Sequence, residues 1–331
     1  MTTRERLRRV FRFEKPDRLP IIEWATWWDM TVERFIREGL DPNADIFEAL
    51  GVEKLIQFWY PALGAGCPQP VSHGAGVMDD RDDYTANYER IRPYILPEDA
   101  VTRSDEQLRA AARAQEEGTP VWITLEGFFW YPRTLFGIED HLYAFYDEPE
   151  LYHRICSDLA DWQLRCIEQT CAYLTPDFMT FAEDMSYNNG PMLSEECFDE
   201  FLLPYYKRVV PALKQRGITV IIDTDGQVEP MIPWLQRAGI EGVLPLERQA
   251  GVDVQRIRET YPQFLMLGGF DKMTMFAEPG AMEREFQRLL PTMRSGGYLP
   301  SVDHQTPPQV SLEQYHAYIR LFNQYATLAA E

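Results

Sequence analysis

Eight short apolar runs constrain this chain more than any other feature. They are residues 19–24 (LPIIEW), 52–59 (VEKLIQFW), 121–129 (VWITLEGFF), 178–184 (FMTFAED), 218–223 (ITVIID), 242–247 (GVLPLE), 264–271 (FLMLGGFD) and 298–304 (YLPSVDH). Most are continuous rather than alternating, which is how strands buried on both faces of a parallel sheet read. Helical stretches separate them, the longest at 148–174, 194–217, 279–297 and 311–331. Ser194 and Gly217 have the character of an N-cap and a C-terminal glycine, with Lys214 and Arg216 in the last turn. Pro204 and Pro211 predict a kink or split in that helix. Thr2 with Glu5, and Ser311 with Gln314, stand at capping-box spacing. Alternation of eight strands with helices in 331 residues predicts an α/β chain folded as one (β/α)8 TIM barrel over residues 1–331. The alternative is a doubly wound open sheet. No G-x-G-x-x-G follows an early strand to support a dinucleotide site.

The formal net charge is −20. A surface of that sign repels nucleic acid and anionic membrane, so neither is an expected partner. No run is long and uncharged enough to span a bilayer, and the first residues, MTTRERLRRVFRF, lack the apolar core of a signal peptide. Cys67, Cys156, Cys166, Cys171 and Cys197 form no C-x-x-C pair. Reduced, packed thiols and a cytoplasmic location are therefore expected.

In a TIM barrel the chemistry sits at the C-terminal ends of the strands. The eight runs end in or beside Glu23, Trp59, Glu126, Asp184, Asp223 with Asp225, Glu247, Asp271, and Asp303 with His304. An acid at a strand end often just caps the next helix. Acids at seven of the eight strand ends of one rim demand either a cation or raised carboxyl pKa values. Three kinds of chemistry fit. Oxygen ligands plus His304 could hold a divalent metal, with Asp223, Asp225, Glu247 and His304 as the ligand set and Zn or Mg as the ion. Lys272 or His304 would then be available as a base. A carboxyl held neutral could serve as an acid without metal. A cationic ligand could sit against Trp24, Trp27, Trp28 and Trp130. Tyr187 and Asn188, in the polar loop EDMSYNNGP, are natural substrate hydrogen-bonders. The expected substrate contacts are thus Glu23, Trp27, Glu126, Asp184, Tyr187, Asn188 and Asp271. His141, His153 and His316 fall in helical context and read as structural, and His73 as a surface residue.

The segments TTRERLRRVFRFEKPDRLPI, AEDMSYNNGPMLSEECFDEFLLPYYKRVV, IIDTDGQVEPMIPWLQRAGIEGVLPLE, LMLGGFDK and GGYLPSVDHQTPPQVSLEQYHAYI resemble the uroporphyrinogen decarboxylase superfamily, in matching order over nearly the whole chain. The resemblance implies the (β/α)8 barrel on independent grounds. It also implies either porphyrinogen decarboxylation or methyl exchange with a corrinoid protein or coenzyme M. Decarboxylases of the family carry an arginine-rich early segment that grips a polycarboxylate. Here DRLPIIEWATWWDM keeps Arg18 and Pro20 but has acid and tryptophan in place of the other arginines. Methyltransferases of the family hold zinc through His-x-Cys and a later Cys. Here Asp223-Thr224-Asp225 and Asp303-His304 occupy those places, so the thiolate zinc motif is absent.

The first expectation is accordingly a methyltransferase-like enzyme acting on a small methylated substrate. Asp223, Asp225, Glu247 and His304 would be its catalytic residues and a corrinoid protein its partner. Uroporphyrinogen decarboxylation, a Mg-dependent lyase or isomerase, and a non-catalytic barrel binding a corrinoid or a cation are the alternatives. A homodimer is the default assembly for such barrels.

Overall fold

The computed structural model describes residues 1–78 and 83–331. Seven of the eight apolar runs form one parallel sheet, in chain order: β1 Ile56–Trp59, β2 Val121–Glu126, β3 Phe178–Ala182, β4 Thr219–Asp223, β5 Gly242–Leu244, β6 Leu265–Phe270 and β7 Tyr298–Val302. Neighbours in sequence are neighbours in space, from Ile56 opposite Val121 at one edge to Phe270 opposite Val302 at the other. β2, β3, β6 and β7 are buried almost throughout, as continuous apolar runs predict. The curled sheet with its outer helices is a TIM barrel.

The eighth run, 19–24, does not join the ladder as a strand. It lies extended and buried across the seam between β7 and β1. Pro20 has no N–H to give, so pairing there is partial. Ile21 accepts a backbone hydrogen bond from Glu53 at 2.7 Å on one side. On the other side Glu23 closes the seam with its side chain. Its carboxylate accepts from the Val302 amide at 3.1 Å and the Tyr318 hydroxyl at 2.7 Å, and also from the Ser301 hydroxyl. The barrel is therefore closed partly by a carboxyl group rather than by a backbone ladder.

The helix termini follow their sequence signals. Both capping boxes form, at Thr2 with Glu5 and at Ser311 with Gln314. Ser194 accepts from the Cys197 amide, and Gly217, with φ +73°, ends the helix Leu203–Lys214. The region 194–217 is split by a π-helical turn at Phe198–Leu202, just before Pro204. At the opposite end of the barrel, buried Asp177 ties the first helix down: Arg4 and Arg8 donate to it at 2.8 and 2.7 Å, and Val121 and Gln115 donate to its other oxygen. All five cysteines are free, and only Cys171 is not fully buried. No helix among the described residues is long and apolar enough to cross a membrane.

Candidate active site

The strand ends bring Asp225, Glu247 and His304 together. One ligand-type atom from each lies within 4.8 Å of the others. Asp225 follows β4 by two residues, Glu247 follows β5 by three, and His304 follows β7 by two. The ends of β4, β5 and β7 thus converge, although their residues are far apart in sequence. Nε2 of His304 is 3.8 Å from Asp225. Glu247 is oriented by the Gly226 amide, which donates to its Oε2 at 3.1 Å. Gly226 itself has φ +80°, and a Cβ there would lie 2.5 Å from the Tyr187 backbone. Glycine is required for the rim to approach the Ser186–Tyr187 ribbon this closely.

Around these three stand Asp223, Asp184, Asp303 and one lysine. Lys272 places Nζ 3.6 Å from both Glu247 and Asp303. Asp303 is fully buried and accepts from the Arg248 amide at 2.9 Å and the Lys272 amide at 3.2 Å. Asp184 is held by Arg133 at 3.0 Å, and Arg133 also lies over the Trp130 ring at 4.8 Å. Asp184 adopts φ +45°, an uncommon conformation for a residue with a side chain. Asp223 retains some exposed surface, yet protein encloses its carboxyl. Among the described residues the carboxyl makes no hydrogen bond or ion pair.

The electrostatics follow from this crowding. Burial, then the charges of Asp225 and Asp184, push the Asp223 carboxyl well above the usual range. Burial and the neighbouring Glu247 and Asp184 raise Asp225 to about 7, against the opposing pull of Lys272. Asp303 is raised to about 6 by burial, with Lys272 and two amides holding it down. His304 is lowered, first by burial and then by Lys272, which favours the neutral imidazole. The ring carries more negative than positive charge, and part of the excess is relieved by protons.

The remaining sequence-derived candidates divide. Glu126 ends β2 and is raised to about 7 by burial, with Glu183 nearby adding to the rise. Tyr187 and Asn188 are exposed at the tip of the ribbon Ser186–Tyr187 and Gly190–Pro191. Glu23 is the buried seam group described above. Asp271 caps the turn Lys272–Phe276, accepting from the Met273 amide, and pairs with Gln249 at 2.7 Å. Trp27 packs in the core against Phe47 and Tyr315. Its neighbour Trp28, 43% exposed, stacks over His304 with centroids 6.3 Å apart. Trp24 meets the same imidazole edge-on. A one-residue change of direction therefore separates the tryptophan that packs from the one that faces the site.

Two residues carry more of the site than their sequence context suggested. Glu183, completely buried, accepts from the amides of Phe128 (2.7 Å), Phe129 (2.7 Å) and Trp130 (3.1 Å) and from the Tyr206 hydroxyl. It anchors the start of the helix that carries Arg133. Arg133 has no motif around it. Glu183 was visible only as the acid beside Asp184.

The donor set is one that could hold a divalent ion. Two carboxylate oxygens and one neutral imidazole suit a hard or borderline metal rather than a thiolate zinc centre. Lys272, 3.6 Å from Glu247, would compete with such an ion for that carboxylate.

Comparison with known proteins places these features in a lineage. The family model for uroporphyrinogen decarboxylase (URO-D) matches residues 86–325. A uroporphyrinogen decarboxylase from Pseudomonas fluorescens (strain SBW25) is 26% identical over 183 residues, 53% of this chain and 48% of its own. One from Dechloromonas aromatica (strain RCB) is 26% identical over 195 residues, 53% of this chain and 51% of its own. The chain thus spans about half the length of the curated relatives it matches. Among solved structures, a methyltransferase from Methanosarcina mazei superposes with a TM-score of 0.70 at 14% identity, covering 98% of this chain and 99% of that one. At that identity the likeness establishes the fold alone.

Proposed function

Because this chain belongs to the uroporphyrinogen decarboxylase family, its chemistry is to be sought among that family's, and we propose that it is a methyltransferase-like enzyme. It takes a small methylated substrate at the acidic rim and passes the methyl group to a corrinoid protein. The observation that carries this reading is the convergence of Asp225, Glu247 and His304. These groups would hold a divalent ion. Such an ion, when bound, supplies Lewis-acid polarisation of a heteroatom.

The protein's own groups have separable tasks. Breaking a methyl–heteroatom bond leaves an electron pair on the heteroatom. Asp223, whose carboxyl is enclosed beside Asp225 and Asp184 and pushed up by burial and by both, is the group we assign to deliver a proton there. Lys272 neutralises part of Glu247 and Asp303, and so keeps the rim assembled. Trp24 and Trp28 fix the orientation of His304. Tyr187, exposed on the ribbon, would contact the substrate in this reading.

The test is loss of the cob(I)alamin absorbance on incubation with the protein and a panel of methylated amines, ethers and thioethers. We expect turnover with at least one class, and its loss in Asp223→Ala and His304→Ala. Absence of transfer from every class, with the protein folded and supplied with Zn2+ or Mg2+, would count against the reading.

The second reading is uroporphyrinogen decarboxylation, which the named relatives support. Charge argues against it. The surviving early arginine, Arg18, is engaged by Glu53 at 2.9 Å and by the Leu19 carbonyl rather than left for a polycarboxylate. Formation of coproporphyrinogen from uroporphyrinogen by the purified protein would favour this second reading over the first.

A further inference from the structure

We infer that Lys272 sets the divalent-ion affinity of the strand-end site: its tethered ammonium takes the place of a cation beside Glu247 and Asp303 and limits how tightly the cluster holds a divalent ion. The inference rests on the site described above but not on methyl transfer. A metal titration needs no substrate, so failure of either idea can be seen without the other.

The geometry assigns the role to this one side chain. Glu247 offers two oxygens. Oε2 is already bonded to the Gly226 amide, and Oε1 is the one that faces the ammonium at 3.6 Å. An ion on Asp225, Glu247 and His304 must therefore share Glu247 with Lys272. The second anchor of Lys272, Asp303, cannot move to accommodate it. Asp303 is fully buried and held by two backbone amides. The lysine is the mobile partner. Its backbone is fixed by the capped turn that begins at Lys272, while its four-carbon stem is flexible. The ammonium thus stands between one ligand-type carboxylate, Glu247, and one buried, immobile carboxylate, Asp303. Arg133, also at the rim, is occupied by Asp184 and does not perform this function.

A fixed positive charge beside a metal site repels the ion and occupies a ligand oxygen. Both effects weaken divalent binding, and both vanish when the ammonium is removed. Arginine at the same position retains the charge. The pair Lys272→Met and Lys272→Arg therefore separates charge from packing.

The experiment is calorimetric titration of ZnCl2 and, separately, MnCl2 into chelator-stripped protein: wild type, Lys272→Met, Lys272→Arg and Lys272→Met/His304→Ala. We expect Lys272→Met to bind at least about tenfold more tightly than wild type and Lys272→Arg to stay within about threefold of it. The gain should disappear in the double variant. Equal affinity of Lys272→Met and wild type, no binding by either, or a gain that survives His304→Ala would each overturn the inference. If Lys272→Met does not fold, Lys272→Gln is judged by the same criteria. Thermal unfolding gives an independent reading: added Zn2+ should raise the melting temperature of Lys272→Met more than that of wild type.

Discussion

Replacing Glu23 with glutamine should change how the stability of this barrel depends on pH, by an amount the seam geometry allows one to calculate. Glu23 is only 7% exposed, and burial raises its carboxyl from 4.5 to about 7 against the opposing hydrogen bonds of Ser301, Tyr318 and Val302. A carboxyl with a raised folded-state pKa binds more protons folded than unfolded. Its contribution to stability is fully present below the unfolded pKa and is lost as pH rises through the folded one. Between pH 5.5 and pH 8 this single group should therefore withdraw about 2 kcal/mol of stability. Glutamine has no such titration. Its carbonyl can accept from the Val302 amide, and its NH2 can donate to the Ser301 or Tyr318 hydroxyl oxygens, so the seam stays closed. The stability of wild type relative to Glu23→Gln should accordingly fall by about 2 kcal/mol between pH 5.5 and pH 8. With about 2.1 cal/mol/K of unfolding entropy per residue, the equivalent change in relative melting temperature is about 3 °C. Urea unfolding of both proteins at the two pH values measures it directly, and Glu126 and Glu183, raised alike, cancel in the comparison. A difference that stays constant with pH, or grows toward pH 8, would refute the reasoning.

Three other perturbations probe separate parts of the structure. Asp177→Ala should destabilise the protein by about 3–5 kcal/mol in denaturant unfolding, because it strips the buried anchor from Arg4, Arg8, Val121 and Gln115. Gly127→Ala places a Cβ 1.9 Å from the Glu183 carboxyl carbon, so it should cost about 3 kcal/mol by the same assay and displace the start of the helix carrying Arg133. Gly226→Ala combines a positive φ with a 2.5 Å approach to the Tyr187 backbone; it should lower the melting temperature by an amount equivalent to about 1–3 kcal/mol and weaken divalent binding together, since the same residue orients Glu247.

The fold was largely legible because buried parallel strands need apolar residues at every position, and that need writes itself as continuous runs. The run 19–24 shows where the rule stops. Its apolar residues are buried as a strand's would be, but Pro20 withholds a donor and Glu23 closes the seam with a side chain, which hydrophobic patterning does not encode. The convergence of Asp225, Glu247 and His304 was legible because barrel topology sends every strand end to one rim. What each acid does there was not. Glu183 and Asp184 are adjacent and alike in sequence, yet one is sealed against three amides and the other reaches Arg133 from a left-handed backbone. Trp27 and Trp28 part in the same way, one into the core and one over His304. Such assignments depend on packing between distant segments, and no local signal carries them.

The account stands most directly on where a cation binds. Crystals of the wild-type protein grown with MnCl2 or ZnCl2, with data collected across the metal's absorption edge, would locate the ion. The account predicts an anomalous peak within bonding distance of Asp225, Glu247 and His304, absent in His304→Ala. A fully occupied ion elsewhere on the chain, with that triad left bare, would contradict it.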